Sequence, residues 1–133
     1  DGSSSQDGSD LLEDLSICYL LHRLNASGRA TSGYDVLKMA TRGSASLLGR
    51  SDIGTIEVGK CADLFLIDRR RIELVGATVD EKNLFGTVGL RAPVDYTIVN
   101  GRVTVDNGRL TGIDESAVAA EARTVCEGYL ARA

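Results

Sequence analysis

Residues 94–105 constrain the fold more than any other stretch. Asn100-Gly101 sits between Tyr96-Thr97-Ile98-Val99 and Arg102-Val103-Thr104-Val105. Asn-Gly between alternating, β-branched flanks favours a two-residue type I′ turn, because both turn residues need positive φ. The chain must therefore carry an antiparallel hairpin. Asp106-Asn107-Gly108 makes a second turn, and residues 109–111 continue the sheet.

Helices surround this sheet signal. Asp10 is an N-cap with Glu13 three residues on, as in a capping box. Leu11, Leu12, Leu15, Cys18, Leu21 and Leu24 follow at helical spacing, and Gly28 marks a stop. A second helix is capped at Thr31 or Ser32, carries Val36, Leu37, Met39 and Ala40, and breaks at Gly43. It resumes through Ala45, Leu47 and Leu48 to Gly49. Residues 53–68 read as two short apolar runs, with 58–62 turning between adjacent strands. Residues 64–67 do not alternate, so that strand is expected to be buried on both faces. Arg69, Arg70 and Arg71 read as a solvated loop edge, and a short helix fits 81–88. A last helix starts near Asp114 with Val118, Ala122, Val125 and Tyr129 as its apolar stripe. Helices segregated from strands give an α+β class. The first two helices are too apolar to stand in water on the few strands present.

Composition narrows the function. The 133 residues suit one domain, and 15 basic against 19 acidic residues give a net charge of −4. Nucleic acid is an unexpected partner, because phosphate tracking needs clustered Lys and Arg. A membrane is unexpected too, since no apolar run approaches the roughly 18 residues of a span. No signal peptide is read in the polar first ten residues. The three cysteines, Cys18, Cys61 and Cys126, are widely spaced and odd in number. They read as free thiols in a reducing, cytoplasmic setting. His22 is the single histidine, so a histidine-rich catalytic site is not complete within this chain.

Several residues attract attention. Gly54, Gly59 and Lys60 fit the first part of a phosphate loop, but Cys61 stands where a hydroxyl is needed and a strand follows instead of a helix. A structural hairpin is the better reading. His22 falls on the polar side of its helix. Cys18 and Cys126 read as small core residues, and Cys61 has no evident partner. Asp63 reads as a carboxylate that binds backbone amides where the second strand begins.

Residues 53–68, IGTIEVGKCADLFLID, resemble the segment G-x-I-x-x-G-K-x-A-D-L-x-x-x-D found after the barrel in amidohydrolase-superfamily enzymes. Val99-Asn100-Gly101-Arg102-Val103 resembles the hairpin that follows it, and residues 37–45 look like the helix before it. Asp1-Gly2-Ser3-Ser4-Ser5 looks like the loop after barrel strand 8 in the metal-dependent deaminase and chlorohydrolase branch. Residues 11–30 are most similar to 8-oxoguanine and hydroxyatrazine-type aminohydrolases.

The resemblance implies the C-terminal portion of a (β/α)₈ TIM-barrel metallohydrolase. Residues 1–50 would end the barrel, 51–112 would supply C-terminal strands of a composite β-sandwich, and 113–133 would form a terminal helix. One divalent metal, zinc or iron, would be held mainly by histidines upstream of residue 1. Asp1 maps onto the strand-8 aspartate and is the implied metal ligand and catalytic proton carrier. Residues 2–8 would edge the substrate pocket. The implied reaction is hydrolytic deamination of an aminated heterocycle, a purine such as 8-oxoguanine or a triazine or pterin. The implied partners are the upstream part of the enzyme, the small-molecule substrate and further copies in a homo-oligomer. The chain alone is expected to be inactive. The rival is a non-catalytic α+β scaffold or interaction module, which would hide its helices' apolar faces within these residues.

Overall fold

Asp10 starts the first helix. Its Oδ1 accepts the amides of Leu12 and Glu13 at 2.9 and 3.3 Å, satisfying two of the donors a helix N-terminus leaves open. The structure, a computed structural model, describes residues 10–24, 26, 30–90 and 93–132. Helix α1 runs Leu11–Leu24, so the stop expected at Gly28 lies outside the described residues. Ser32 caps α2 (Gly33–Lys38) in a full capping box with Asp35. The break expected at Gly43 is absent. A π-helical turn over Met39–Gly43 carries the chain directly into α3 (Ser44–Leu47), with the Ser44 amide reaching back to the Met39 carbonyl. Gly49, at φ 66°, ends the helix.

Residues 51–57 form no strand. Gly54 adopts φ 87° against the Ala45 side chain, and the Cys61 amide donates to the Asp52 carbonyl at 2.8 Å. The segment therefore closes as a loop rather than lying extended beside β1 (Leu64–Leu66). Residues 72–79 are a 3₁₀ segment, and a second one over Glu81–Asn83 leads into α4 (Leu84–Thr87). Strands β2 (Tyr96–Val99), β3 (Arg102–Asp106) and β4 (Arg109–Leu110) complete one antiparallel sheet in the order β1-β2-β3-β4. Asp114 caps α5 (Glu115–Leu130). This is an α+β arrangement.

The hairpin forms as its sequence dictates. Asn100 and Gly101 have φ of 47° and 77°. Asp63 Oδ1 accepts the Asn100 amide at 2.6 Å, and the Ala62 carbonyl accepts that of Gly101 at 3.1 Å. The Asp63 carboxylate thus ties the hairpin tip to the start of β1, as its position suggested. Gly101→Val should destabilise the protein by more than about 1 kcal/mol, because a β-branched residue resists positive φ. An unchanged melting midpoint would contradict the turn.

The core lies among the helices. Leu74, Leu84 and Leu90 are buried together, with Leu12, Ile67, Ala77 and Phe85 packed against them. The strand expected to be buried on both faces is not: Phe65 and Leu66 remain 38% and 48% exposed. Within the described residues β1 is an edge strand paired only with β2. Cys126 is not a core residue either, because α5 has no buried residue.

Candidate functional site

Asp1 and residues 2–8 lie outside the described residues. What the structure describes is the scaffold immediately after them. α1 carries His22 on an exposed face, away from any convergent donor set. Among the described residues, no three His, Cys, Asp or Glu side chains come together to hold a metal. A catalytic metal needs at least three such ligands in one shell, so these residues do not fit a metal centre by themselves.

The Gly54–Lys60 loop is not a phosphate cradle. Lys60 Nζ turns inward, donating to Thr55 Oγ1 at 2.5 Å and lying 3.6 Å from Glu57. A phosphate-binding lysine must instead reach outward to the ligand. β1, not a helix, follows the loop.

Cys61 does have partners. Its thiol donates to Asp52 Oδ2 at 3.2 Å, and Arg50 grips the same carboxylate through Nε and Nη2 at 2.9 and 2.6 Å. The guanidinium holds the Asp52 carboxyl below the usual carboxylate range, helped by the thiol. The Asp52 carboxylate in turn pushes the Cys61 thiol up, as does burial. Cys61 is therefore a poor nucleophile, since the thiolate is the reactive form. It should alkylate with iodoacetamide several-fold more slowly at pH 8 than a cysteine in an unstructured peptide, and Asp52→Asn should speed it. The folded state holds this proton more tightly than the unfolded chain. Its contribution to stability is full below about pH 8.5 and declines as pH rises further. Equal rates in wild type and Asp52→Asn would rule out the Cys61–Asp52 hydrogen bond.

Arg71 departs from the solvated reading of its run. Its Nη2 donates to Asp95 Oδ1 at 2.9 Å and to the Pro93 carbonyl at 2.8 Å. The Asp68 amide donates to Asp95 Oδ2 at 2.5 Å. That amide, then Arg71, hold the Asp95 carboxyl below its ordinary range. Arg70 pairs with Asp68 and keeps its carboxyl at about 2. These contacts fasten the end of β1 to the start of β2. They belong to the scaffold, and no spacing rule links Arg71 to a partner 24 residues away.

Two clefts open beside the scaffold. One, about 340 Å³, lies between α1 and the 3₁₀ segments, with Tyr19, Arg23, Asp80 and Asn83 on its walls. A larger one, about 760 Å³, separates α2–α3 from β1 and β2 and is lined mainly by apolar residues such as Leu37, Leu48, Leu64 and Ile98.

A model of the amidohydrolase family matches residues 13–105. The chain belongs to the amidohydrolase family. It is 44% identical over 122 residues to hydroxydechloroatrazine ethylaminohydrolase of Pseudomonas sp. (strain ADP), covering 90% of this chain and 25% of that protein. It is 35% identical to 5'-deoxyadenosine deaminase of Methanobrevibacter smithii, over 96% of this chain and 30% of the relative. Its fold is similar, at TM-score 0.82 and 36% identity, to atrazine chlorohydrolase TrzN of Arthrobacter aurescens TC1 complexed with zinc. That match covers 92% of this chain and 28% of TrzN. The chain thus spans between a quarter and a third of the length of these proteins.

Proposed function

We propose that this chain is the C-terminal part of a zinc-dependent amidohydrolase that hydrolytically deaminates an aminated heterocycle, a purine or a triazine. The observation that carries the reading is the 44% identity with an aminohydrolase of a triazine across 90% of the chain. The purine alternative draws on the deaminase of a deoxyadenosine, which aligns with 96% of the chain.

On this reading residues 1–50 close a (β/α)₈ barrel, 51–112 supply strands of a β-sandwich, and 113–133 form a terminal helix. Asp1 would map to the C-terminal end of a barrel strand, where barrel enzymes place their chemistry. It would be one of the residues that hold the metal, which would supply an activated water, and its carboxylate would carry a proton from that water to the departing amine. The histidine ligands belong to the upstream part of the polypeptide. Asp10 fixes the start of α1, and so the point from which the strand-8 loop departs.

Surface chemistry favours this reading over a self-sufficient scaffold. Leu11, Leu20, Leu21 and Leu24 of α1 are 59–75% exposed, and Ile17 is 48% exposed. A self-contained module would hide that stripe, because contiguous apolar surface marks an interface. No helix among the described residues is long and apolar enough to cross a membrane.

Metal analysis tests the assignment. The 133-residue chain should hold no stoichiometric zinc or iron after dialysis, whereas the full-length polypeptide should hold about one equivalent and release an amine from its heterocyclic substrate, ammonia from an aminopurine or an alkylamine from an alkylamino-triazine. Tight metal at one equivalent in the 133-residue chain would move the ligands out of the upstream part. A full-length protein without metal would remove the proposal.

A further inference from the structure

The dipeptide Asn-Gly occurs twice in the sheet region, at Asn100-Gly101 and at Asn107-Gly108. Both asparagines adopt the left-handed conformation, at φ 47° and 50°, and both are exposed. The dipeptide has a chemistry of its own besides its turn preference. The backbone nitrogen after an asparagine can attack the side-chain carboxamide carbon and close a cyclic imide. Glycine hinders this least, because it has no Cβ and its backbone turns freely. Whether a folded chain permits the reaction depends on what holds the attacking amide and the side chain.

The two turns are held differently. The Asn107 side chain is pinned: Nδ2 donates to Asp106 Oδ1 at 2.8 Å, and Oδ1 accepts the Tyr96 hydroxyl at 3.3 Å. The Gly108 amide donates to the Asp95 carbonyl at 3.0 Å. The Asn100 carboxamide, by contrast, has no hydrogen-bond partner among the described residues, and its turn is held through the backbone. The Gly101 amide donates to the Ala62 carbonyl at 3.1 Å, and the Asn100 amide to Asp63 Oδ1 at 2.6 Å. The acceptor of the second bond is a carboxylate, so that bond contributes more than a neutral pair would. Two successive amides of the hairpin tip are thus clamped onto two successive residues at the start of β1.

We propose that Asn100 is a latent site of deamidation to isoaspartate and that the Asp63 carboxylate keeps it closed. For the reaction, the Gly101 nitrogen must leave the Ala62 carbonyl, lose its proton to water and bond to Asn100 Cγ. The Cγ–Nδ2 bond breaks, and that nitrogen departs as ammonia. Water then opens the imide at either carbonyl. One product is aspartate; the other is isoaspartate, in which the main chain runs through the side-chain methylene. Neither oxidant nor cofactor takes part. A held amide reacts through its opened population. Releasing Asn100 from Asp63 should raise that population about tenfold, the scale of a hydrogen bond to a charged acceptor. Asn107 shares none of these contacts and serves as an internal standard. The guard lies within residues 62–101 of this chain and is independent of the deaminase reading.

Peptide mapping of the full-length polypeptide, incubated in mildly alkaline buffer, tests it. Mass spectrometry follows conversion at each asparagine, and protein-isoaspartate methyltransferase labels the isoaspartate. Denatured polypeptide supplies the unguarded rate. Folded wild type should convert both sites far more slowly than that. Asp63→Ala should speed Asn100 about tenfold and leave Asn107 unchanged. Asp63→Asn should fall between, because its carboxamide oxygen still accepts the Asn100 amide without the charge. Equal rates at Asn100 in wild type and Asp63→Ala overturn the guard, as does a wild-type rate that matches the denatured one. A slower rate in Asp63→Ala makes the carboxylate a base that promotes cyclisation, and overturns it too. Parallel acceleration of Asn100 and Asn107 means general loosening of the sheet, and leaves Asp63 no specific role. None of these rates depends on metal or turnover, so each is distinguishable from failure of the enzymatic reading.

Discussion

If the proposed role of Asp1 holds, replacing it with asparagine in the full-length polypeptide is expected to lower turnover at least about 10²-fold, the low end of what a positioned general acid/base contributes. The substitution keeps the side chain's shape and removes its ability to take a proton. On the proposed reading metal content should fall as well, because a charged oxygen ligand would become a neutral one. The fold should persist. Downstream of this loop α1 is capped by Asp10 through two backbone amides, and neither bond involves Asp1. His22→Gln is the matched control. His22 is exposed on α1, so its loss should change turnover little. Both variants should be assayed together, with metal measured in each. Near-normal turnover for Asp1→Asn with loss of activity for His22→Gln would break the mapping of residues 1–5 onto the strand-8 loop. The family assignment, which rests on residues 13–105, would survive that result.

The parts of this fold that can be read from sequence are those whose chemistry is local. Asn100-Gly101 demands positive φ at two successive residues, and the structure supplies it. Ser32 and Asp114 cap their helices because a short polar side chain reaches amides only two or three residues away. The misreadings concern distance or surroundings. β1 reads as doubly buried because residues 64–67 are continuously apolar, yet burial depends on what lies over the sheet, and the described residues leave Phe65 and Leu66 partly exposed. Arg71 reads as solvated because charge runs usually are, while its actual partner is Asp95 across the β1–β2 junction. Cys61 meets Asp52 only after Gly54 has turned the loop back. The candidate site follows the same division. Asp1 is legible only through family resemblance, because one carboxylate in a Ser/Gly loop carries no spacing signal of its own.

A second large effect is expected at Gly86, where the helices meet backbone to backbone. A Cβ there would lie 2.6 Å from the Gly33 Cα and 3.0 Å from the Tyr19 ring, so α4, the start of α2 and α1 converge on one point. Gly33 is equally confined, since a Cβ on it would meet the Asn83 carbonyl oxygen, just before α4, at 2.6 Å. Hydrogen bonds fix the crossing: Ser16 Oγ donates to the Gly86 carbonyl at 3.3 Å and the Tyr34 amide to Asn83 Oδ1 at 3.3 Å. Two effects of Gly86→Ala oppose each other. Alanine gains up to about 1 kcal/mol of helix propensity over glycine. Overpacking costs about 1–3 kcal/mol, and the upper end applies because a backbone cannot change rotamer to make room. The net result is destabilisation by about 2 kcal/mol, read as a fall of several degrees in the melting midpoint of the full-length polypeptide. Gly76→Ala is the control, because a Cβ at Gly76 meets nothing within 4 Å. It should melt like the wild type or slightly above it. If Gly86→Ala also melts there, the α1–α2–α4 crossing is not formed as described. The orientation of α1, and with it the point where the Asp1 loop departs, would then have to be fixed by another contact.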